Sequence, residues 1–184
     1  MMNFDALIDK FVEQVNASPR ELLFDSEAPP SVRIGTSPDE VYGMWDWNIK
    51  RYEAVDWLEG LEARLSRQFP QSFRSLVARY IFPPFDLGPL QFLANTPEGV
   101  DDLYELRTGI FKDAYLSAGL LQNGFLQFAR PAGGDYDPIC FDPNGSIVGI
   151  DHESILCHDE IAITKVIALS FAELIERHLK GCYH

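Results

Sequence analysis

The chain has 184 residues, of which 46% are hydrophobic and 23% charged, and its net charge is −13. Such a length and composition suffice for one domain with a substantial core. The acid surplus argues against nucleic acid, whose phosphates require Lys and Arg to displace counterions, and against anionic membranes; it suits a basic protein partner or simple solubility.

In chain order, Phe4, Leu7, Ile8, Phe11 and Val15 recur at helical spacing and predict an amphipathic helix over 3–16, ended at Ser18-Pro19. Residues 25–38 carry Pro29, Pro30, Gly35 and Pro38 and read as a loop. Ser37-Pro38-Asp39-Glu40 has the form of a helix start, with a capping serine, proline at the first position and acids in the first turn. Trp45 and Trp47 would follow on that helix, two residues apart, so that one faces outward. Trp is enriched at binding hot spots, which makes the outward one a candidate partner contact. A helix is predicted from Ala54 to Arg67, with Trp57 in the core. A second, carrying Phe73, Leu76, Val77 and Tyr80, is closed by Pro83-Pro84. A short strand over Leu87 to Leu93 and a helix over 101–121 come next.

From Gly124 the period changes to two. GFLQFAR places Leu126 and Phe128 on one face and Phe125 and Gln127 on the other. PICFD and SIVGID are two further strands joined by Pro143-Asn144-Gly145, a tight-turn signal. Ile161 to Leu169 supplies another strand. Ser170-Phe171-Ala172-Glu173 is a capping box that opens a last helix, with Phe171, Leu174 and Ile175 inward and Gly181 at its end. Helices first, then a meander, then a helix define an α+β layout.

Charge and thiols refine this. Residues 1–60 hold 12 acids against 5 bases, whereas 61–80 hold Glu62 against Arg64, Arg67, Arg74 and Arg79. Those arginines are expected to pair with acids of the same chain. Cys140, Cys157 and Cys182 are odd in number and lack a CxxC, so they read as reduced thiols of a cytoplasmic protein. No apolar run has the length of a membrane span, and the start of the chain lacks the form of a secretory leader.

The densest group of chemical side chains is Gly133 to Glu153, with Asp135, Asp137, Asp142, Asp151, His152 and Glu153. It has neither HExxH nor paired CxxC, so no metal ligand set is assigned. Asp142 and Asp151 could come near one another across the hairpin, but carboxylates at strand ends usually cap loops or face water; His152 is expected to bond a backbone carbonyl, and Cys140 to be silenced by burial in mid-strand. The stretch reads as a β-hairpin with acids at its turns and ends, and no catalytic residue or cofactor is assigned.

The run from Gly124 to His178, with GFLQFAR, GGDYDPICFD, IVGIDHE and SFAELIE, resembles the SUKH superfamily, which includes bacterial immunity proteins and fungal cell-wall-synthesis regulators. LEARLSRQFPQSFRSLVARY, upstream, is similar to that group's first core helices. The resemblance spans roughly 57–180 and is loose between Phe85 and Gln122. It implies a single antiparallel β-sheet flanked by helices over 57–184, preceded by an N-terminal helical extension (1–56) packed on the core. It also implies a non-enzymatic protein-binding role, most specifically neutralisation of a toxin, for which the acidity would suit a basic nuclease. Trp45, Trp47, Asp101, Asp102, Asp135 and Asp137 are the candidate partner contacts. A regulatory or scaffolding protein and a small carboxylate- or metal-dependent hydrolase are the alternatives.

Overall fold

A computed structural model describes residues 3–52, 56–100, 104–134 and 136–181. The fold is α+β. Its centre is a six-stranded antiparallel meander made of β3 (Phe85–Leu87), β4 (Leu90–Phe92), β5 (Leu126–Pro131), β6 (Ile139–Phe141), β7 (Ile147–Ile150) and β8 (Ile163–Ala168), adjacent in that order. A separate ribbon pairs β1 (Lys50–Arg51) with β2 (Tyr80–Ile81).

Alternation along the strands gives the sheet two apolar faces. Phe85, Phe92, Phe128, Phe141 and Ile147 belong to the main core. That face is closed by α1 (Phe4–Ala17), α3 (Gln71–Val77) and α7 (Phe171–Leu179), which pack on one another. Phe73 of α3 sits at its centre, with ring centroids 5.3 Å from Phe128, 5.1 Å from Phe141 and 5.1 Å from Phe171. The opposite face is smaller. Phe125, Cys140, Val148 and Ile150 meet Leu120 of α5 (Ala114–Gln122) and Ile155 of α6 (His152–His158). α2 (Asp56–Leu65) and α4 (Leu106–Lys112) complete the helices of the described residues.

Local chemistry accounts for the well-predicted elements. Asn3 caps α1, and Ile8, Phe11, Val12 and Val15 form its buried stripe. The Ser170 hydroxyl accepts from the Glu173 amide at the start of α7, as the capping box predicts. In the β6–β7 turn Gly145 takes a left-handed φ of +88°, its N–H donates to Asp142 O at 3.0 Å, and the Asp142 carboxylate accepts from the amides of Asn144 and Ser146.

Several expectations are corrected. Ser37-Pro38-Asp39-Glu40 starts no helix; the Asp39 carboxylate accepts from the amides of Val41, Tyr42 and Met44 and closes a turn. Trp45 and Trp47 are therefore extended, in isolated bridges with Leu23 and Arg33. Within 1–52 the only described helix is α1, yet Ile8, Phe11, Val32, Trp47 and Ile49 share one core with the sheet. The strand predicted at Leu87–Leu93 is the β3–β4 hairpin, turning at Gly88 with φ +60°. The long helix is two, α4 and α5, because the Asp113 side chain caps a new start by accepting from Tyr115 and Leu116; residues 101–103 lie outside the described set. Asp151-His152-Glu153 is not a strand end: Asp151 caps α6.

The arginine-rich stretch is spent inside the chain, though only Arg74 and Arg79 meet acids as expected; Arg64 lies over the Phe111 ring, its guanidinium carbon 4.0 Å from the centroid. Arg74 pairs with buried Glu62 at 3.0 Å, Arg79 with Asp5 and Asp9, and Arg67 donates to the carbonyls of Asp142 and Pro143. Among the described residues no helix is long and apolar enough to cross a membrane.

Candidate functional site

The two edge strands of the sheet differ. Along β3 runs a cleft of about 320 Å³. The end of α1 supplies Val15 and the following turn Ser18, Pro19, Arg20 and Glu21; Leu23 and Trp47 of the N-terminal segment, Phe85, Asp86, Leu87 and Gln91 of the sheet edge and His178 of α7 complete the lining. Trp47 is only 3% exposed, and its ring lies 5.8 Å from that of Phe85. Its indole N–H donates to Glu21 O at 3.1 Å, which joins two parts of the N-terminal segment, while the ring contact with Phe85 ties them to the sheet edge.

The cleft is acidic. Alternation on β3 buries Phe85 and Leu87 and turns Asp86 outward, beside Gln91 of β4. Partial desolvation, reinforced by the Glu21 charge, pushes the Asp86 carboxyl above its ordinary range, against a hydrogen bond from Gln91. The bordering cation is committed elsewhere: Arg20 stacks on Trp47 with its guanidinium carbon 5.2 Å from the ring, pairs with Asp46 at 3.3 Å and donates to Asn48 and to Asn16 O. Burial holds the His178 imidazole below its usual pKa, which favours the neutral ring near pH 7. Apolar aromatic walls with two carboxylates at the mouth suit a long basic side chain, whose alkyl stem can pack while its head is paired.

The predicted contacts fall differently. Trp47 is a wall of this cleft rather than a protruding anchor. Trp45 is half-buried beneath Arg33, whose guanidinium carbon is 4.3 Å from its ring, and bonds Asp25 at 3.0 Å. Trp57 is partly buried against the core, under Arg107. Asp101, Asp102 and Asp135 lie outside the described residues.

Asp137 joins the one group of potential metal ligands found among the described residues, with Asp151 and His152, their ligand atoms within 4.8 Å of one another. Asp137 Oδ1 accepts from the His152 amide at 3.0 Å and pairs with its Nδ1 at 2.8 Å, so His152 has a carboxylate partner rather than the expected backbone carbonyl. Asp151 accepts from the Glu153 amide. These acids build the start of α6, a helix of seven residues. Asp142 and Asp151 do not meet, because β7 separates the turn that one closes from the helix that the other caps. Cys140 is fully buried, and desolvation drives its thiol far up, as expected.

The sequence reading missed Glu21 and Asp86, which are two unremarkable acids among 28 until the fold brings them to one cleft. It also missed Glu105, which begins α4 with its side chain buried. Desolvation pushes its carboxyl up to about 7, despite Arg107 3.8 Å away. No protein-family model matches the chain, and no curated protein matches it in sequence.

Proposed function

We propose that the chain is a non-enzymatic protein-binding domain of the SUKH type, acting as an immunity protein that neutralises a basic toxin domain by direct contact. The observation that carries this reading is the cleft along β3. Its aromatic walls and its two carboxylates, Glu21 and Asp86, form a receptor for an arginine or lysine side chain on the partner's surface. The −13 charge supplies the long-range complement by steering a basic partner toward the molecule. The antiparallel sheet flanked by helices agrees with the architecture that the SUKH resemblance implies, which supports the reading further.

The test is to mix the protein with the effector domain of a toxin encoded beside it and follow association by stopped flow. Association should slow about tenfold or more as salt rises from about 50 to 500 mM, because the Debye length shrinks from above 10 Å to a few ångströms. Replacing Glu21 with Gln and Asp86 with Asn together should raise the dissociation rate about 30-fold or more, the effect of about 2 kcal/mol lost with a buried charge partner. No complex, or a complex indifferent to both salt and the paired substitution, overturns the proposal.

A further inference from the structure

The cleft runs along β3, and the hydrogen-bond ladder decides which backbone groups of that strand face it. Ala132 N–H donates to Pro89 O and Leu93 N–H to Phe128 O, so positions 89, 91 and 93 turn their backbone groups toward β5. Leu90 and Phe92 therefore face β3, where they pair with Leu87 and Phe85. Asp86, between those two, is left with its N–H and C=O directed out of the sheet, toward the cleft that it lines. The N-terminal segment walls this edge without joining it. Among the described residues, none of 18–23 and 45–47 hydrogen-bonds the Asp86 backbone. The open stretch is short. Pro83 and Pro84 precede β3 and have no N–H, and the Gly88-Pro89 turn closes its other end. A cleft of about 320 Å³ matches a few residues of extended chain, not a second sheet.

The pleat then assigns each side chain of such a segment. A residue that exchanges both hydrogen bonds with Asp86 lies directly opposite it, with its side chain on the same face of the sheet. On that face stands the Asp86 carboxylate, with Gln91 beside it and Glu21 near enough to act on its charge. An acidic side chain would be repelled there, and a basic one makes a cross-strand ion pair. The residues before and after it point to the other face. Phe85 and Leu87 are buried on that side, and Trp47 and Leu23 pack against the same core. A polar side chain there would lose water without gaining a partner, so the flanking positions call for apolar residues.

We propose that the cleft binds an extended apolar–basic–apolar segment of the partner as a strand added antiparallel to β3, with the basic residue opposite Asp86. The proposal rests on the reading of this cleft as the receptor for a basic partner, and it states how that receptor works. Main-chain hydrogen bonds to Asp86 hold the segment, and the Glu21 and Asp86 carboxylates select its middle side chain. A lone arginine or lysine projecting from a helix does not meet this requirement.

The probe is a blocked pentapeptide, Thr-Val-Arg-Val-Thr, titrated into the isotope-labelled full chain and followed by NMR. The Asp86 amide should exchange freely in the unbound protein and become protected about tenfold or more at saturating peptide, whereas the Phe85 and Leu87 amides, already paired within the hairpin, change little. N-methylation of the peptide's arginine amide removes the donor to Asp86 O, keeps the guanidinium, and should weaken binding about tenfold or more. Asp86→Asn keeps the backbone donor, and Asp86→Pro, tolerated at an outward-facing edge position, removes it; the proline variant should bind the peptide about fivefold or more weakly than the asparagine one. An Asp86 amide that stays unprotected, an N-methyl peptide that binds as well as its parent, or no binding up to about 10 mM peptide overturns the proposal. A toxin complex that depends on Glu21 and Asp86 but leaves the Asp86 amide unprotected overturns strand addition and spares the immunity reading. Peptide binding that protects Asp86, with no toxin complex, supports strand addition and removes that reading.

Discussion

β3 and β8 end the same sheet and have been treated in opposite ways. β3 is walled by the N-terminal segment, with Trp47 against Phe85 and an arginine stacked on the tryptophan. Acidic groups are held at its mouth. β8 has no strand on its outer side among the described residues; Arg177 of α7 donates to Ile167 O and the Leu169 amide to the Glu173 carboxylate, while Ile163 and Val166 stay exposed. An edge strand offers the same backbone donors and acceptors wherever it lies. What differs is the side-chain chemistry set beside it: aromatic and acidic groups along β3, and an ion pair with exposed aliphatic groups along β8.

The largest effect expected from this contrast is at the covered edge. Trp47→Ala removes a buried ring that packs on Phe85 and whose N–H fixes the Glu21 carbonyl. Truncation of a core aromatic costs about 3–5 kcal/mol. Urea denaturation should show a loss of that size, with protease sensitivity appearing in residues 18–47. A loss below about 1 kcal/mol would mean that this segment rests on the edge without holding it.

Next in size is a buried acid on the covered side. Ala94, two residues past β4, bridges to Glu105. The Glu105 carboxyl has an ordinary pKa of 4.5 and titrates at about 7 in the fold because burial disfavours its charge. Below 4.5 it is protonated in folded and unfolded chains alike, and no penalty exists. As pH rises from there through 7, the unfolded chain releases the proton first and stability falls, by up to about 3 kcal/mol at roughly 1.4 kcal/mol per unit. Glu105→Gln should therefore be more stable than wild type at pH 8 and should lose the decline between pH 4.5 and 7. Melting temperatures across that range decide it. A variant less stable than wild type at pH 8 would show that the pairing with Arg107 outweighs burial.

How much of this was legible depends on how local the signal is. α1, α7 and the β6–β7 hairpin were readable because period, cap and turn glycine all lie within a few residues of what they control. Ser37-Pro38 misled because its capping signal had no apolar stripe behind it: Val41 and Tyr42 are exposed, and Asp39 found a tighter use in a turn. Gly119, a poor helix former inside α5, is where α6 approaches. A Cβ there would lie 2.6 Å from Ile155 Cγ2, so glycine is what lets the two helices meet. The cleft was illegible for a different reason. Glu21, Trp47, Asp86 and His178 are scattered over most of the chain, and no spacing rule brings them together. The tryptophans were singled out as candidate partner contacts on a helix, but exposure is decided by tertiary cover, which sequence period cannot supply for an extended segment.

The smallest effect makes the finest test, because it compares one residue type across one rung of the sheet. Val148 and Val166 are opposite each other on β7 and β8, the first 1% exposed and the second 62%. Val→Thr preserves shape and β-branching, so strand propensity changes little and the substitution reports mainly on burial. At Val148 the hydroxyl enters the smaller core among Cys140, Ile150 and Ile155. An unsatisfied buried hydroxyl costs about 1–3 kcal/mol. At Val166 the hydroxyl meets water, and the change should stay within about 0.5 kcal/mol. Urea denaturation midpoints of both variants in dilute solution measure the two costs. Equal costs at the two positions would mean that β8 is covered, and the contrast between the two edges would then vanish.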